Sequence, residues 1–106
     1  MKIALDYDKT YDQDPDFWDT FILLADEYGH EVKIVTARNA ELDNIEDKVL
    51  EDTEIVYCDG VAKRWFCQHR PPYWIPDIWI DDRVEGILEN GPLTEEQIAE
   101  WRKNRD

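Results

Sequence analysis

Short apolar runs that end abruptly at polar residues are the first pattern along the chain. One run, Ile-Ala-Leu, stops at Asp6, and another, Ile-Trp-Ile, stops at Asp81. Runs of this length, rich in β-branched residues, are typical of strands buried on both faces of a sheet. The pattern predicts four strands, over residues 3–5, 31–36, 55–57 and 78–80.

Between these runs, apolar residues recur at helical spacing. Asp14 and Pro15 are typical of a helix start, as N-cap and first helical residue, and Gly29 is placed to end that helix. Residues 40–52 place Leu42, Ile45, Val49 and Leu50 on one helical face. Two more helices are predicted over residues 61–68, before the Pro71-Pro72 break, and over residues 94–103, where Thr94 and Gln97 match a capping box and Trp101 is expected to pack the helix onto the domain.

The alternation of strands and helices predicts right-handed crossovers and a parallel sheet. The expected fold class is therefore α/β, a single Rossmann-like domain over residues 1–106 with a central parallel sheet of about four strands flanked by helices. Ligands of such sheets bind beyond the carboxyl ends of the strands. The residues at those ends are Asp6, Thr36, Tyr57 and Asp81.

Composition narrows the classes of function. The chain of 106 residues has 26 acidic and 12 basic residues, a net charge of -14, which argues against non-specific binding to nucleic acid or to a membrane surface. Five Trp, five Tyr and three Phe argue against a disordered acidic chain. No apolar run approaches the ~20 residues of a membrane span. The early Asp6 is unlike a signal peptide, so we expect a cytoplasmic protein with free thiols at Cys58 and Cys67.

Acidic residues lie at two of the predicted strand ends. Asp6 and Asp8 follow the first strand, and Asp81 and Asp82 follow the fourth. Carboxylates gathered in one place repel each other, and an all-oxygen cluster of this kind suits Mg²⁺. At the same edge, Thr36 offers a hydroxyl and Lys63 an ammonium group for phosphate oxygens. This set of groups is suited to phosphoryl transfer.

In this order, these residues resemble the motifs of the haloacid dehalogenase (HAD) superfamily of aspartyl phosphohydrolases. Asp6, Asp8 and Thr10 match its Asp-x-Asp-x-Thr motif, and Thr36 matches the Thr or Ser that ends the next strand. Lys63 matches the third motif, and the pair Asp81-Asp82 matches the fourth. The resemblance spans about residues 1 to 88, and the whole chain is similar to small bacterial and phage HAD-type hydrolases that lack a cap domain.

The resemblance implies a role for each matched residue. Asp6 would be the nucleophile that forms an aspartyl-phosphate, and Asp8 the general acid and base. Thr36 and Lys63 would bind the transferring phosphoryl group. Mg²⁺ would be bound by Asp6, by the backbone carbonyl of Asp8, by Asp81, and by Asp82 directly or through water. Because superfamily members with an acid at the Asp8 position are generally phosphatases, the implied function is a Mg²⁺-dependent phosphatase of a small phosphorylated compound such as a nucleotide.

Several alternatives stay open at this point. Lys9 stands where many superfamily members have glycine, and Arg64 is adjacent to Lys63 as a second candidate for its role. The segments after Thr10 and Thr36 are too short for a cap domain, so an open site is expected. An open site would admit a polynucleotide end, although the net charge of -14 opposes this substrate. The chain could instead be a catalytically idle HAD-like protein that binds a partner.

Overall fold

A computed structural model describes residues 1–46, 49 and 52–88 of the chain. These residues form four β-strands, three α-helices and one short 3₁₀ helix. The predicted strands all form, within one residue of their expected bounds. The elements in chain order are β1 (Lys2–Leu5), the 3₁₀ helix (Tyr11–Gln13), α1 (Pro15–Glu27), β2 (Glu31–Thr36), β3 (Ile55–Tyr57), α2 (Lys63–His69), β4 (Ile78–Ile80) and α3 (Glu85–Leu88).

All four strands are parallel and form one sheet in the order β3-β2-β1-β4. In the centre of the sheet, Ile3 of β1 pairs with Val32 of β2 on one side and with Ile78 of β4 on the other. The architecture confirms the predicted α/β, Rossmann-like class. Because β1 lies between β2 and β4, the residues that follow these three strands meet at one edge of the sheet.

The alternation of side chains along each strand divides the core between the two faces of the sheet. Ala4 and Val35 pack with Cys67 of α2 on one face. Leu5 and Ile34 pack on the other face, in the same cluster as Ile22 of α1. Burial of both faces explains why the strands are continuous apolar runs rather than alternating ones.

Helix α1 has the ends that the sequence predicts. The Asp14 carboxylate accepts a hydrogen bond from the Phe17 backbone N–H at 3.3 Å, and Pro15 is the first helical residue. Gly29 follows the helix with a φ of 82°, a conformation that favours glycine. These signals set the two ends of α1, the helix that connects β1 to β2.

The helix predicted over residues 40–52 is wrong for the residues described there. Residues 40–46 form turns and irregular backbone, and Leu42 is 88% exposed rather than packed on a buried face. The side-chain oxygen of Asn39 accepts hydrogen bonds from the backbone N–H groups of Glu41 and Leu42, and the Asn39 backbone N–H donates to the Asp43 carboxylate. Such local side-chain bonds compete with helical ones. Residues 47, 48, 50 and 51 lie outside the described residues.

Two other expectations concern the rest of the chain. Helix α2 begins at Lys63, two residues later than predicted, and ends at His69. The predicted helix over residues 94–103 lies outside the described residues. Within the described residues, no helix is long and apolar enough to cross a membrane.

Candidate active site at the carboxyl edge of the sheet

Three carboxylates converge where β1 and β4 end. Asp6 directly follows β1, and Asp81 and Asp82 follow its neighbour β4. One carboxylate oxygen from each of the three residues lies within 4.8 Å of the others. The Asp6 backbone N–H donates to the Ile80 carbonyl at 2.9 Å, which extends the β1–β4 pairing to the site itself. The sheet therefore forces together acids that are 75 residues apart in the sequence.

Lys63 lies between two of these acids. Its Nζ donates to Asp6 Oδ1 at 2.8 Å and to Asp81 Oδ2 at 2.5 Å. Only 5% of Lys63 is exposed, whereas Arg64 is exposed and lines a different cavity. Of the two adjacent cations, Lys63 is thus the one that contacts the acidic cluster.

Burial sets the protonation of this cluster. Burial, reinforced by a hydrogen bond with the Asp82 carboxyl, raises the pKa of Asp6 to about 7, although Lys63 acts to lower it. Burial alone would lower the pKa of Lys63, but its hydrogen bonds to Asp6 and Asp81 outweigh this effect and raise it. In the absence of a further cation, Asp6 therefore holds a proton at pH values where an exposed Asp has lost it.

The donor set fits a divalent cation of the Mg²⁺ type. When ionised, the three carboxylates of the cluster carry three negative charges, and Lys63 supplies one positive charge. The excess of negative charge around Lys63 would favour a bound cation. The ligand atoms are all carboxylate oxygens, which suit Mg²⁺ better than a softer metal.

Asp8 lies at the same site but has a different partner. Arg38 forms two hydrogen bonds with its carboxylate, from Nε to Oδ2 at 3.0 Å and from Nη2 to Oδ1 at 2.6 Å. The guanidinium also lies over the Tyr7 ring, 5.0 Å from its centroid. This bidentate bond to Asp8 raises the pKa of Arg38. The Asp8 carboxylate is therefore paired with a cation on a loop that follows β2.

Thr36, the last residue of β2, is fully buried. Its hydroxyl oxygen accepts a hydrogen bond from the Arg38 backbone N–H at 3.2 Å. The next residue, Ala37, lines the cavity above the site, and Thr36 is not among the lining residues. The Thr36 hydroxyl is thus buried outside the cavity lining, and its hydrogen bond orders the turn that carries Arg38.

An open cavity of about 380 Å³ lies above these groups. This volume lies in the range of pockets that bind small molecules. Two further cations, Lys9 and Arg83, also line the cavity. No pattern in the sequence had placed them together. The cavity also brings together five of the six predicted site residues, namely Asp6, Asp8, Lys63, Asp81 and Asp82.

Sequence reasoning missed some contributions to the site. Thr10 donates its hydroxyl to Asp6 Oδ2 at 3.4 Å, and Arg83 donates its backbone N–H to Asp81 Oδ1 at 2.9 Å. The Asp59-Gly60 pair, a typical turn dipeptide, was an available signal for a tight loop after β3. There Gly60 has a φ of 74°, and its N–H donates to the Ala37 carbonyl at 2.8 Å. That bond fastens the loop before Lys63 to the loop that carries Arg38.

Comparison with models of known protein families, with curated proteins and with solved structures found no match to this chain. The chemistry of this site is therefore inferred from the chain's own residues. Three features support the inference: the convergent acids Asp6, Asp81 and Asp82, the contact of Lys63 with Asp6 and Asp81, and the position of Asp8 at the same cavity.

Removing the Lys63 ammonium should destabilise the folded protein. We expect Lys63→Met to lower the free energy of unfolding by about 3 kcal/mol, because two buried carboxylates lose their cation. The loss should be larger at pH 8 than at pH 5, measured by urea denaturation with EDTA present. Without Lys63 the pKa of Asp6 rises further, so protonation at low pH restores part of the stability.

The matched control is Arg64→Met, which removes an adjacent but exposed cation. It should change the free energy of unfolding by less than about 0.5 kcal/mol at either pH. The wild-type protein should itself lose stability as the pH rises from about 4 to about 7, because folded Asp6 binds a proton there and unfolded Asp6 does not. Equal effects of the two substitutions on the free energy of unfolding would contradict the claim that Lys63 stabilises the buried carboxylates.

Proposed function

We propose that the chain is a Mg²⁺-dependent phosphatase of the HAD type, which hydrolyses a small phosphate monoester, such as a nucleotide, through an aspartyl-phosphate. The observation that carries the proposal is the contact of Lys63 with both Asp6 and Asp81, beside Asp82 and at the floor of an open cavity. An ion pair that serves only to stabilise the fold needs one acidic residue for each basic residue. The surplus of acid next to open space favours a site for a cation and an anionic substrate.

Asp6, Asp81 and Asp82 are the residues that would hold Mg²⁺, together with the backbone carbonyl of Asp8. Bound there, the ion would polarise a phosphoryl oxygen and offset the negative charge of the substrate. Its charge would also lower the pKa of Asp6, whose raised value reflects burial among acids. The ionised form of Asp6 is the one that can act as a nucleophile.

In the first half of the reaction, an oxygen of Asp6 attacks phosphorus as the bond from phosphorus to the ester oxygen breaks. Lys63 contacts Asp6 Oδ1 directly, and from this position its ammonium can also stabilise charge on the equatorial phosphoryl oxygens. Its burial favours this role, because a cation shielded from water acts more strongly on nearby charge. The product of this half is an acyl phosphate on Asp6.

Asp8 is the group proposed to move the protons. In the first half it gives a proton to the leaving ester oxygen, which departs as an alcohol. In the second half it takes a proton from the water that attacks the phosphorus of the phospho-Asp6. That attack releases inorganic phosphate and returns Asp6 to its starting form. The half-exposed side chain of Asp8, at the rim of the cavity, suits a group that must meet both an alcohol and water.

Arg38 must release Asp8 before this proton transfer can occur, because its guanidinium occupies both carboxylate oxygens of Asp8. We propose that the phosphate of the incoming substrate supplies the alternative partner. A guanidinium forms the same bidentate contact with phosphate as with carboxylate. In this scheme Arg38 moves from Asp8 to the substrate, so Asp8 becomes available when substrate is bound.

Turnover should require the Asp6 carboxylate. With Mg²⁺ present, we expect the wild-type protein to release phosphate from p-nitrophenyl phosphate and from members of a panel of nucleoside monophosphates. Asp6→Asn should lower kcat by at least about 10³-fold, because the amide is a poor nucleophile. Asp12→Asn, an exposed carboxylate outside the cavity, is the control and should leave kcat unchanged. Absence of Mg²⁺-dependent phosphate release by the wild-type protein across the panel would refute the proposal.

Loss of the Asp8 carboxyl should separate the two halves of the reaction. p-Nitrophenolate is a good leaving group that departs without a proton, whereas the attacking water still needs a base. We therefore expect Asp8→Asn to give a burst of about one p-nitrophenolate per protein molecule, followed by slow turnover. Rapid-mixing absorbance measures the burst, and mass spectrometry should find one added phosphoryl group. Slow turnover with no burst and no adduct would argue against the role given to Asp8.

Arg38→Ala should weaken substrate binding more than it slows chemistry. Loss of a charged hydrogen bond to phosphate corresponds to a rise in KM of about 10- to 100-fold. Arg38→Lys should recover part of the affinity, because it keeps the charge without the bidentate geometry. If KM stays constant while the melting temperature falls, the Arg38–Asp8 pair has only a structural role.

A further inference from the structure

Two positive side chains at the acidic cavity have no part in the mechanism proposed above. Lys9 and Arg83 both line the cavity, and both are exposed. Each directly follows an acidic residue of the site, since Lys9 follows Asp8 in the loop after β1 and Arg83 follows Asp82 in the loop after β4. Because β1 and β4 are neighbours in the sheet, these two loops are adjacent at the rim of the cavity.

These two cations are not used to neutralise the acids of the site. Neither Lys9 nor Arg83 forms an ion pair within the part of the chain that the structure describes. The other cations of the site do, since Lys63 contacts two carboxylates and Arg38 contacts a third. The rim of the cavity therefore presents two positive groups to an incoming ligand.

The backbone of Lys9 favours a role for its side chain. Its φ of 61° lies in the left-handed region, which glycine adopts without strain and lysine rarely adopts. Strained residues of this kind are concentrated at functional sites. The charge of Lys9 also acts on the site: a hydrogen bond with Asp6 is the main cause that lowers the pKa of Asp82, and the ammonium of Lys9 lowers it further.

We propose that Lys9 and Arg83 bind a second phosphate group of the substrate, so that the substrate class is a small bisphosphorylated compound. This inference rests on the proposed phosphatase function and narrows it. One phosphate, bound beside Asp6 and Lys63, is transferred and hydrolysed. The other phosphate is held by Lys9 and Arg83 and does not react.

The chemistry of the two cations suits phosphate. The guanidinium of Arg83 can donate two parallel hydrogen bonds to phosphate oxygens, and the ammonium of Lys9 acts as a compact positive charge. A second phosphate monoester carries a charge of about -1.5 to -2 at pH 7, which two cations can offset. A carboxylate or a phosphodiester carries only a single negative charge, so it makes less use of the pair.

A polynucleotide end is the rival ligand, because it too presents further phosphates beside the terminal one. Its internal phosphates are diesters, and they would extend beyond the cavity over the surface of a chain with a net charge of -14. A small bisphosphate stays within the cavity, where its second phosphate meets Lys9 and Arg83. The small compound is therefore the substrate that we test.

The first measurement is the substrate preference of the wild-type protein with Mg²⁺. We expect kcat/KM for adenosine 3′,5′-bisphosphate to exceed that for either adenosine monophosphate on the order of 10-fold, or fructose 1,6-bisphosphate to exceed its two monophosphates by a similar factor. A 5′-phosphorylated oligonucleotide should be a poorer substrate than the preferred bisphosphate.

Lys9→Gly and Arg83→Gln test the two cations. Glycine suits the left-handed backbone at position 9, so Lys9→Gly should not lower the melting temperature. We expect each substitution to reduce the ratio of kcat/KM for the bisphosphate to that for the monophosphate about 10-fold, mainly through KM. The control is Lys2→Gln, which removes one positive charge from an exposed residue at the opposite end of β1 and should leave this ratio unchanged.

The outcomes separate this inference from the proposed function. If the wild-type protein hydrolyses p-nitrophenyl phosphate but prefers neither bisphosphate, the inference is wrong and the proposed function stands. A preference that survives both Lys9→Gly and Arg83→Gln would also overturn the inference. A higher kcat/KM for the oligonucleotide would assign the two cations to a polynucleotide instead. Failure to hydrolyse any of these compounds would overturn the inference and the proposed function together.

Discussion

The contact of the Lys63 ammonium with Asp6 and Asp81 is the interaction on which the site depends. Taking three charged groups out of water is costly, and the cost is offset only when their geometry is good. The fold provides that geometry from three distant places in the sequence, the end of β1, the start of α2 and the end of β4. One ammonium cannot neutralise the whole acidic cluster. The remaining negative charge is the reason for proposing a divalent cation at this edge of the sheet.

Two layers of support hold the cluster in position. Below it, the core clusters on both faces of the sheet fix β1 and β2, so the Asp6 backbone has little freedom. Around it, the loops that follow β2 and β3 are joined by the bond from Gly60 to Ala37 and by the bond from Cys58 N–H to the Thr36 carbonyl. Because rigid supports keep reacting groups in place, this arrangement is suited to chemistry as well as to binding.

The sequence predicted the strands well and the loops poorly, for a physical reason. Both faces of the sheet are covered, so the apolar runs of the four strands are explained by burial alone. In these segments the local sequence pattern and the tertiary packing favour the same structure. Residues 40–46 place Leu42 and Ile45 at helical spacing, but Asn39 and Asp43 form hydrogen bonds with the local backbone in place of a helix. Strand-end residues could be grouped because topology alone brings them together. The Arg38–Asp8 pair depends on loop conformation and side-chain reach, which no spacing rule encodes.

The central position of β1 has a consequence for the protein during its synthesis. Asp6 leaves the ribosome before its partner strand β4 and the acids beyond it, which come about 75 residues later in the chain. Parallel pairing between distant strands forms late in folding, because the intervening chain must be closed into a loop first. A nascent chain therefore contains Asp6, the proposed nucleophile, long before it contains Lys63 and the acids that lie beside Asp6 in the folded protein. The acidic cluster and its contact with Lys63 are therefore complete only after β4 has paired with β1.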